Sequence, residues 1–210
     1  MLDLRKVAVT GGLSCGKSSV CLILRGLGAY VVSADSIVHQ LLSSDTNLRR
    51  EVVHLLGSDV LVNQQLDRSR IAQLAFRNVE CLQALERLLH PLVYQELEKN
   101  YQEQRTLPIP PPLFVAEVPL LFESGGEKDY DKTVAVVADQ KLCFARFDKA
   151  TGLGPMEFYH RVERQLSISE KAARADYVIT NNGTLSELER STEELYQKLL
   201  QTPSPLESRF

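Results

Sequence analysis

The chain has 210 residues, of which 44% are hydrophobic and 24% are charged, and this balance predicts a globular protein with one substantial core and small inserted subdomains. Its formal net charge of −3 excludes an overall basic field, so we expect no nucleic acid as the main partner. Nowhere does an apolar run reach the roughly twenty residues that cross a bilayer, so we expect no membrane anchor.

The first predicted element is a short buried strand, Lys6 to Thr10, and a phosphate-binding motif follows it. The segment 11–18 reads GGLSCGKS, which is the pattern of Gly, four residues, Gly, Lys and Ser or Thr. A helix is predicted from Lys17 to about Gly26 or Gly28. In such loops backbone N–H groups surround the phosphates, the lysine reaches the β- and γ-phosphates, and the hydroxyl of Ser18 ligates Mg²⁺. The motif therefore predicts a nucleoside triphosphate site formed by Gly12, Leu13, Ser14, Cys15, Gly16, Lys17, Ser18 and Ser19.

A second strand, 29–32, precedes an acidic residue. Asp35 comes at the carboxyl end of this strand, at the edge of an open α/β sheet where ligands bind. A helix is predicted directly after it. Asp35 is therefore either a functional carboxylate or, like Ser33, an N-cap of that helix, and the local pattern leaves both open.

The segment from Ser43 to Tyr101 shows helical periodicity and no convincing strand, which predicts a helical insertion between strands. Pro91 is expected to divide two helices, because proline is tolerated at the first helical position. His90 is either a packing residue or a base, and Arg68 is either a surface residue or a ligand contact. Residues 107–112, with four prolines, are expected to return the chain to the sheet as a stiff connector.

Three further strands complete the predicted sheet, at 113–118, 132–137 and 176–180. Glu117 is a charge in an apolar run, so it needs a partner, either metal-bound water near Ser18 or a basic group. The loop 120–126 joins the ligand edge. After the last strand we expect a turn at 181–183, a closing helix at 186–200 and a loosely anchored tail at 202–210.

Seven basic residues are concentrated between Asp139 and Ala175, on stretches with helical periodicity. This pattern fits either a solvated helical hairpin or a mobile basic flap. We favour the flap, because phosphoryl transfer needs cations on the transferring group and a cover that excludes water. The basic residues of this stretch are Lys141, Arg146, Lys149, Arg161, Arg164, Lys171 and Arg174.

The four cysteines are scattered without CxxC spacing or neighbouring histidines, so we expect neither a zinc site nor a disulfide framework. This usage fits a reducing cytoplasm. Cys15 adds a hypothesis of its own, because a helix N-terminus and Lys17 both favour its thiolate. It should be unusually oxidisable, and ATP should protect it.

Several motifs together resemble the dephospho-CoA kinase family, in the same order and over nearly the whole chain. The motifs are 9–18, Ala34-Asp35 opening a helix, His90-Pro91, Val118-Pro119-Leu120-Leu121-Phe122-Glu123, Ala175-Asp176-Tyr177-Val178-Ile179 and Asn182-Gly183. The resemblance implies ATP-dependent phosphorylation of the ribose 3′-hydroxyl of dephospho-CoA, the last step of coenzyme A biosynthesis. It implies a P-loop NTPase-type α/β fold, with a parallel five-stranded sheet flanked by helices, a helical acceptor-binding insertion and a helical lid.

The resemblance also implies boundaries and partners. One domain, 1–210, would contain a core of 1–35, 113–139 and 176–201, the acceptor-binding insertion 36–112 and the lid 140–175. The substrates would be ATP and dephospho-CoA, with Mg²⁺, in a monomer or small homo-oligomer.

The catalytic roles come from the same resemblance. The family's acidic residue at the place of Asp35 approaches the acceptor hydroxyl, so Asp35 would orient it and accept its proton. Lys17 and a lid arginine would stabilise the transferring phosphoryl group, with Arg146 as the first choice and Arg161 and Arg164 after it. The binding roles fall on Asn182 and Gly183 for adenine, and on Asp35, Arg68, His90, Leu120 and Glu123 for the acceptor.

The chain departs from the family pattern at three positions. The family usually has glycine at the place of Ser14 and serine at the place of Cys15, so the loop must accept a side chain at position 14. It often has Asp-Ala-Asp where this chain has Ser33-Ala34-Asp35, which removes a candidate metal partner. Two alternatives remain. One is another small-molecule kinase of the adenylate or shikimate type. The other is a nucleotide-dependent switch, which is disfavoured because the sequence has no evident Asn-Lys-x-Asp motif for guanine binding.

Overall fold

The computed structural model describes residues 4–75 and 78–201, which form two compact units. One unit contains the chain up to Ser33 and again from Tyr101 onward, and the other contains Ala34–Asn100. The predicted tail at 202–210 lies outside the described residues. The boundaries proposed for the insertion and the lid stay predictions.

Strands and helices alternate in the first part of the described chain, and helices dominate its middle. In chain order, the elements are β1 (Arg5–Gly11), α1 (Lys17–Gly26), β2 (Tyr30–Ser33), α2 (Ala34–Ser44), α3 (Thr46–Leu56), β3 (Leu61–Val62), β4 (Gln65–Leu66), α4 (Arg68–Ala75), α5 (Val79–Arg105), β5 (Leu113–Glu117), β6 (Lys132–Val137), α6 (Gln140–Thr151), α7 (Gly154–Val162), α8 (Ile168–Arg174), β7 (Tyr177–Thr180) and α9 (Leu185–Gln201). Short 3₁₀ turns lie at Ser58–Val60 and Gly126–Asp129.

Five parallel strands form the central sheet in the order β2-β5-β1-β6-β7, which confirms the predicted fold class. Register pairs Val9 with Glu117 and Glu117 with Ser33, so β1, β5 and β2 end at one edge of the sheet. Strands of a parallel sheet are covered on both faces, which is why their sequences are continuous apolar runs. The loops that follow β1 and β5 therefore share the edge where open α/β sheets bind ligands.

The core of this unit lies between the sheet and the helices on its faces. Phe147 of α6 and Phe158 of α7 are 2% and 1% exposed and belong to the same apolar cluster as Val7 and Val134. The stretch predicted as a basic flap is thus anchored by buried aromatic side chains. Its movement as a lid stays a prediction.

The second unit is helical, with a small two-stranded hairpin that the sequence pattern did not predict. Strands β3 and β4 pair antiparallel across Asn63 and Gln64, whose φ values are 50° and 63°. Two successive left-handed residues form the tight turn that matches strand twist. The expectation of no strand in this region was wrong, because these residues looked only like a polar break.

Pro91 lies inside the single helix α5, so the predicted division into two helices was also wrong. Leu85, Val93 and Leu97 are 7%, 7% and 1% exposed, and their spacing by multiples of four places them on one face of the helix. Burial of this continuous face on both sides of Pro91 outweighs the one backbone hydrogen bond that proline removes.

Candidate active site

The loop between β1 and α1 has the backbone that phosphate binding requires. Gly11, Ser14 and Gly16 have φ values of 147°, 56° and 98°. A Cβ atom on Gly11 would lie 2.1 Å from the carbonyl oxygen of Val136, and one on Gly16 would lie 2.1 Å from Nδ2 of Asn181. Both positions therefore require glycine, whereas Ser14 adopts the left-handed conformation despite its side chain.

Lys17 lies across this loop at the start of α1. Its Nζ donates to the carbonyl oxygens of Gly12 at 2.8 Å and Gly11 at 3.3 Å. The ammonium group is thus held over the loop, at the positive end of the helix dipole, where an anion is favoured. This geometry can bind phosphate oxygens.

Glu117, at the end of β5, accepts a hydrogen bond from the Ser18 hydroxyl at 2.8 Å. The sequence left its partner open between metal-bound water and a basic group, and the structure gives it the hydroxyl of the motif itself. The hydroxyl oxygen of Ser18 and a carboxylate oxygen of Glu117, both ligand types that Mg²⁺ prefers, therefore lie side by side. Within the described ranges 4–75 and 78–201, no group of three His, Cys, Asp or Glu side chains could hold a metal by itself.

Asn181 contacts the loop directly, and Arg146 contacts Asn181. The buried Asn181 donates from Nδ2 to the carbonyl oxygen of Cys15 at 2.9 Å, and Arg146 donates from Nη2 to the carbonyl oxygen of Asn181 at 3.0 Å. Among the described residues, no group accepts a hydrogen bond from Nη1 of Arg146, which is buried. Asn182, whose contact with adenine stays a prediction, accepts a hydrogen bond from the backbone N–H of Asp139 at 2.8 Å.

Lys171 lies at the centre of a buried polar cluster rather than on a solvated face. Its side chain is 0% exposed and its Nζ lies 2.9 Å from Oε1 of Glu123. It also donates to the carbonyl oxygen of Pro119 at 2.8 Å, which the Thr10 hydroxyl reaches from β1 at 3.1 Å. The backbone N–H of Leu166 donates to the same Glu123 oxygen at 2.9 Å. The cluster thus ties α8 to the loop after β5, which contains the half-buried Leu120.

The other basic residues of 139–175 are engaged in different ways. Arg161 pairs with Glu157 at 2.7 Å along α7, and Arg174 pairs with Glu127. Arg164 lies 3.2 Å from a ring nitrogen of His160. The two ion pairs are half-exposed, and such pairs contribute little to stability.

The remaining predicted residues belong to the helical unit. Asp35 is the exposed second residue of α2 and therefore lies in its first turn rather than at its cap. Arg68 lines a cavity of about 340 Å³, together with His39, Leu42, Ser43, Gln65, Leu66, Asp67 and Ser69. His90, on α5, contacts the ring of Tyr94 edge-on, with centroids 6.4 Å apart.

Comparison with known proteins decides the family. The family model described as dephospho-CoA kinase matches residues 5–187. The chain belongs to the dephospho-CoA kinase family. It is accordingly a kinase of coenzyme A biosynthesis that uses ATP as co-substrate.

Relatives of this family match the chain almost end to end. The dephospho-CoA kinase of Protochlamydia amoebophila is 56% identical over 199 residues, which is 95% of this chain and 98% of the relative. The dephospho-CoA kinase of Chlamydia pneumoniae is 45% identical over 199 residues, again 95% of this chain and 98% of the relative. The crystal structure of TT1252 from Thermus thermophilus covers 94% of this chain and 98% of its own, at 31% identity and a TM-score of 0.78.

More distant structures support the fold alone. Dephospho-CoA kinase from Campylobacter jejuni has a TM-score of 0.68 at 24% identity, over 93% of this chain and 97% of its own. Shikimate kinase from Bacteroides thetaiotaomicron has a TM-score of 0.53 at 14% identity, over 94% and 99% of the two chains. None of the helices described in 4–75 and 78–201 is long and apolar enough to span a membrane.

Two residues that support the site were not predicted from the sequence as site residues. Asn181 stands directly before the predicted Asn182, and the only signal was its place directly after β7, the edge strand beside β6. Lys171 was counted among the flap cations, and a single lysine in a basic stretch carries no signal of burial. Both became visible only through contacts that are distant in sequence.

Replacing Asn181 by Ala should weaken ATP binding more than replacing Asn182 by Ala. The first change removes the donor to the carbonyl oxygen of Cys15 and leaves this buried acceptor unpaired. The loop conformation is then destabilised by about 1–3 kcal/mol. Equilibrium binding measures the ATP affinity of both variants, and thermal unfolding measures their stability. A larger loss for Asn182→Ala would instead support the direct adenine contact expected from the motif.

Proposed function

We propose that this chain transfers the γ-phosphoryl group of ATP to the ribose 3′-hydroxyl of dephospho-CoA. The observation that carries the proposal is the phosphate loop with Lys17 held over it, in a chain whose family acts on this acceptor. Catalysis of phosphoryl transfer consists mainly of positioning and charge stabilisation, and the loop offers both.

The donor side uses groups of one compact unit. Backbone N–H groups of 12–18 and Nζ of Lys17 would bind the phosphates, and Lys17 would exchange its two carbonyl contacts for phosphate oxygens. Arg146 would stabilise the transferring group, supported by its buried Nη1, for which no described residue is an acceptor. Asn182 and Gly183 stay the proposed adenine contacts.

Ser18 and Glu117 fit a magnesium ion. Their oxygen atoms lie 2.8 Å apart, and in kinases Mg²⁺ is held by one or two protein groups together with substrate phosphates. Ser18 would bind the ion directly and Glu117 would orient the hydroxyl. When bound, the ion supplies positive charge that neutralises the phosphate oxygens.

Asp35 is the proposed base. Ser33, two residues before it, pairs in register with Glu117, whose carboxylate accepts from Ser18. In the sequence, Asp35 is thus only two residues beyond the end of β2. Its carboxylate would hold the 3′-hydroxyl and accept its proton as the phosphoryl group moves.

The helical unit is the proposed place of the acceptor. The cavity beside Arg68 offers a guanidinium group, which suits the diphosphate of dephospho-CoA. His90 and Leu120 stay proposed acceptor contacts. Glu123 also stays a proposed acceptor contact: Lys171 and Leu166 occupy its Oε1, whereas its buried Oε2 has no hydrogen-bond partner among the described residues.

Incubation with Mg-ATP and dephospho-CoA, followed by product mass, tests the proposal. We expect dephospho-CoA to gain one phosphoryl group at the 3′-oxygen, with one ADP formed per product. Shikimate and nucleoside monophosphates serve as control acceptors. ADP release that occurs only with one of these controls would assign the chain to the alternative kinase types.

Replacing Arg68 by Ala should raise KM for dephospho-CoA about tenfold and change kcat little, because a lost charge-assisted hydrogen bond to a bound phosphate affects ground state and transition state alike. Arg50→Ala, an exposed arginine on α3 outside the cavity lining, is the matched control. An unchanged KM in Arg68→Ala would remove this cavity from the acceptor site.

Several further expectations about the chain remain predictions. They are a lid formed by 140–175, an insertion formed by 36–112, a cytoplasmic location, the absence of a nucleic-acid partner, and a monomeric or small homo-oligomeric state. The lid prediction is supported by the contacts of α8 with the loop after β5, since a moving cover needs a defined contact in its closed position.

A further inference from the structure

Two thiols that are 128 residues apart in sequence meet behind the phosphate loop. Sγ of Cys15 lies 3.1 Å from Sγ of Cys143, and both cysteines are free. Cys15 belongs to the loop itself, and Cys143 lies on α6, three residues before Arg146. Both side chains are buried in the main core, at 0% and 1% exposure. Scattered spacing along the chain gave no indication of this pair.

The two thiols are chemically unequal. The hydrogen bond from Cys143 lowers the pKa of Cys15 to about 7, assisted by the charge of Lys17 and opposed by burial. The same hydrogen bond, with burial, raises the pKa of Cys143. Of the two sulfurs, Cys15 is therefore the one with the greater thiolate character, and Cys143 keeps its proton beside it.

We propose that Cys15 and Cys143 are a reversible disulfide site, oxidised by a peroxide, that disables the phosphate loop. The sulfur atoms need to approach by only about 1 Å to reach a disulfide bond length near 2.05 Å. The inference concerns the loop's ability to bind ATP and does not depend on the identity of the acceptor.

The oxidation proceeds in two balanced steps. The Cys15 thiolate attacks one peroxide oxygen, the O–O bond breaks, and with one proton taken up the products are a Cys15 sulfenic acid and water. The Cys143 sulfur then attacks the sulfenic sulfur, and the S–O bond breaks. The departing hydroxide takes the Cys143 proton and leaves as a second water. Two thiols and one hydrogen peroxide thus give one disulfide and two waters.

The bond would change the loop at a sensitive place. Cys15 stands between Ser14 and Gly16, whose φ values of 56° and 98° aim the neighbouring backbone N–H groups. Its carbonyl oxygen is also the acceptor for Asn181. Movement of Cys15 toward α6 therefore disturbs both the N–H array and the contact that braces it. Bound phosphates would hold the loop's N–H groups in place and oppose this movement, so ATP should slow the oxidation.

The full chain treated with hydrogen peroxide and then desalted tests the proposal. Peptide mapping should find a Cys15–Cys143 crosslink with a mass two hydrogens lower than the thiol pair, and dithiothreitol should remove it. The crosslinked fraction should bind ATP at least about tenfold more weakly, as expected from the loss of one charge-assisted hydrogen bond or more. ATP binding is the readout, because dephospho-CoA carries a thiol that could reduce the disulfide.

Three variants make the outcome decisive. Cys143→Ser, with nearly unchanged volume and a hydroxyl that can still donate to Cys15, should form no crosslink and should show a trappable sulfenic acid at Cys15. Cys143→Ala, which also removes that donor, should form no crosslink and should be oxidised more slowly at Cys15. Cys81→Ser should crosslink like the natural chain. Cys81 is half-buried and reports the peroxide dose within the same molecule. Oxidation of Cys81 without the Cys15–Cys143 crosslink would overturn the proposal, and so would a crosslinked protein that binds ATP normally.

Discussion

Replacing Asp35 by Asn should lower turnover of dephospho-CoA by about 10²–10⁴-fold, while ATP binding stays close to normal. The amide has nearly the size and hydrogen-bonding reach of the carboxylate but cannot accept the hydroxyl proton. The steady-state rate with saturating substrates measures the loss, and equilibrium binding of ATP measures what is kept. A fall in kcat and kcat/KM by equal factors would mark an interaction made in the transition state.

The position of Asp35 in the first turn of α2 requires a control. A carboxylate there also stabilises the helix through its dipole, by about 0.3–1 kcal/mol, so the melting temperature of Asp35→Asn should be only slightly lower. Asp59→Asn changes another exposed carboxylate of the helical unit and should leave turnover unaltered. Turnover within a few-fold of normal in Asp35→Asn would leave Asp35 with its helix role alone.

The second large effect is expected at Lys171. Replacing it by Met should destabilise the protein by about 3 kcal/mol, because Glu123, only 16% exposed, would keep a charge without its counterion. For a chain of this length, that corresponds to a melting temperature lower by roughly 6–12 °C. The carbonyl of Pro119 would also lose a donor, so the loop that contains Leu120 should loosen and KM for dephospho-CoA should rise.

A double mutant separates charge from packing at this cluster. Glu123→Gln in the Lys171→Met background removes the buried charge and should recover a large part of the lost stability. Lys149→Met, an exposed lysine of α6, is the matched control and should have no comparable effect. If Lys171→Met and Lys149→Met unfold at the same temperature, the ion pair contributes nothing to stability.

The KM for dephospho-CoA, measured beside the affinity for ATP, distinguishes a positioning role of Lys171 from a purely structural one. Well below its melting temperature, the Lys171→Met variant should still show a raised KM for dephospho-CoA and an unaltered affinity for ATP. Lys171→Arg retains the charge but not the compact shape, and should recover stability better than substrate affinity. Normal kinetics in folded Lys171→Met would limit the cluster to stability.

Much of the donor site could be predicted from the sequence, since its geometry is local. Gly11, Gly16 and Lys17 lie within seven residues, and the residue types themselves specify the backbone conformation that the loop requires. The strand before them and the helix after them follow from short apolar patterns. The same locality explains the misjudged Asn63-Gln64 turn. It contains no glycine, and only asparagine of the two residue types favours the left-handed conformation that both adopt.

The sequence by itself determined the phosphate loop, the parallel five-stranded sheet and, through motifs in a fixed order, the family. Only the tertiary structure decided that Cys15 meets Cys143, that Lys171 is a buried counterion of Glu123, and that Asn181 braces the loop. It also decided that α5 runs through Pro91, because burial of one continuous face on both sides outweighs a local break. Dihedral preferences act between neighbours in the chain, whereas burial and partner choice depend on which distant elements pack together.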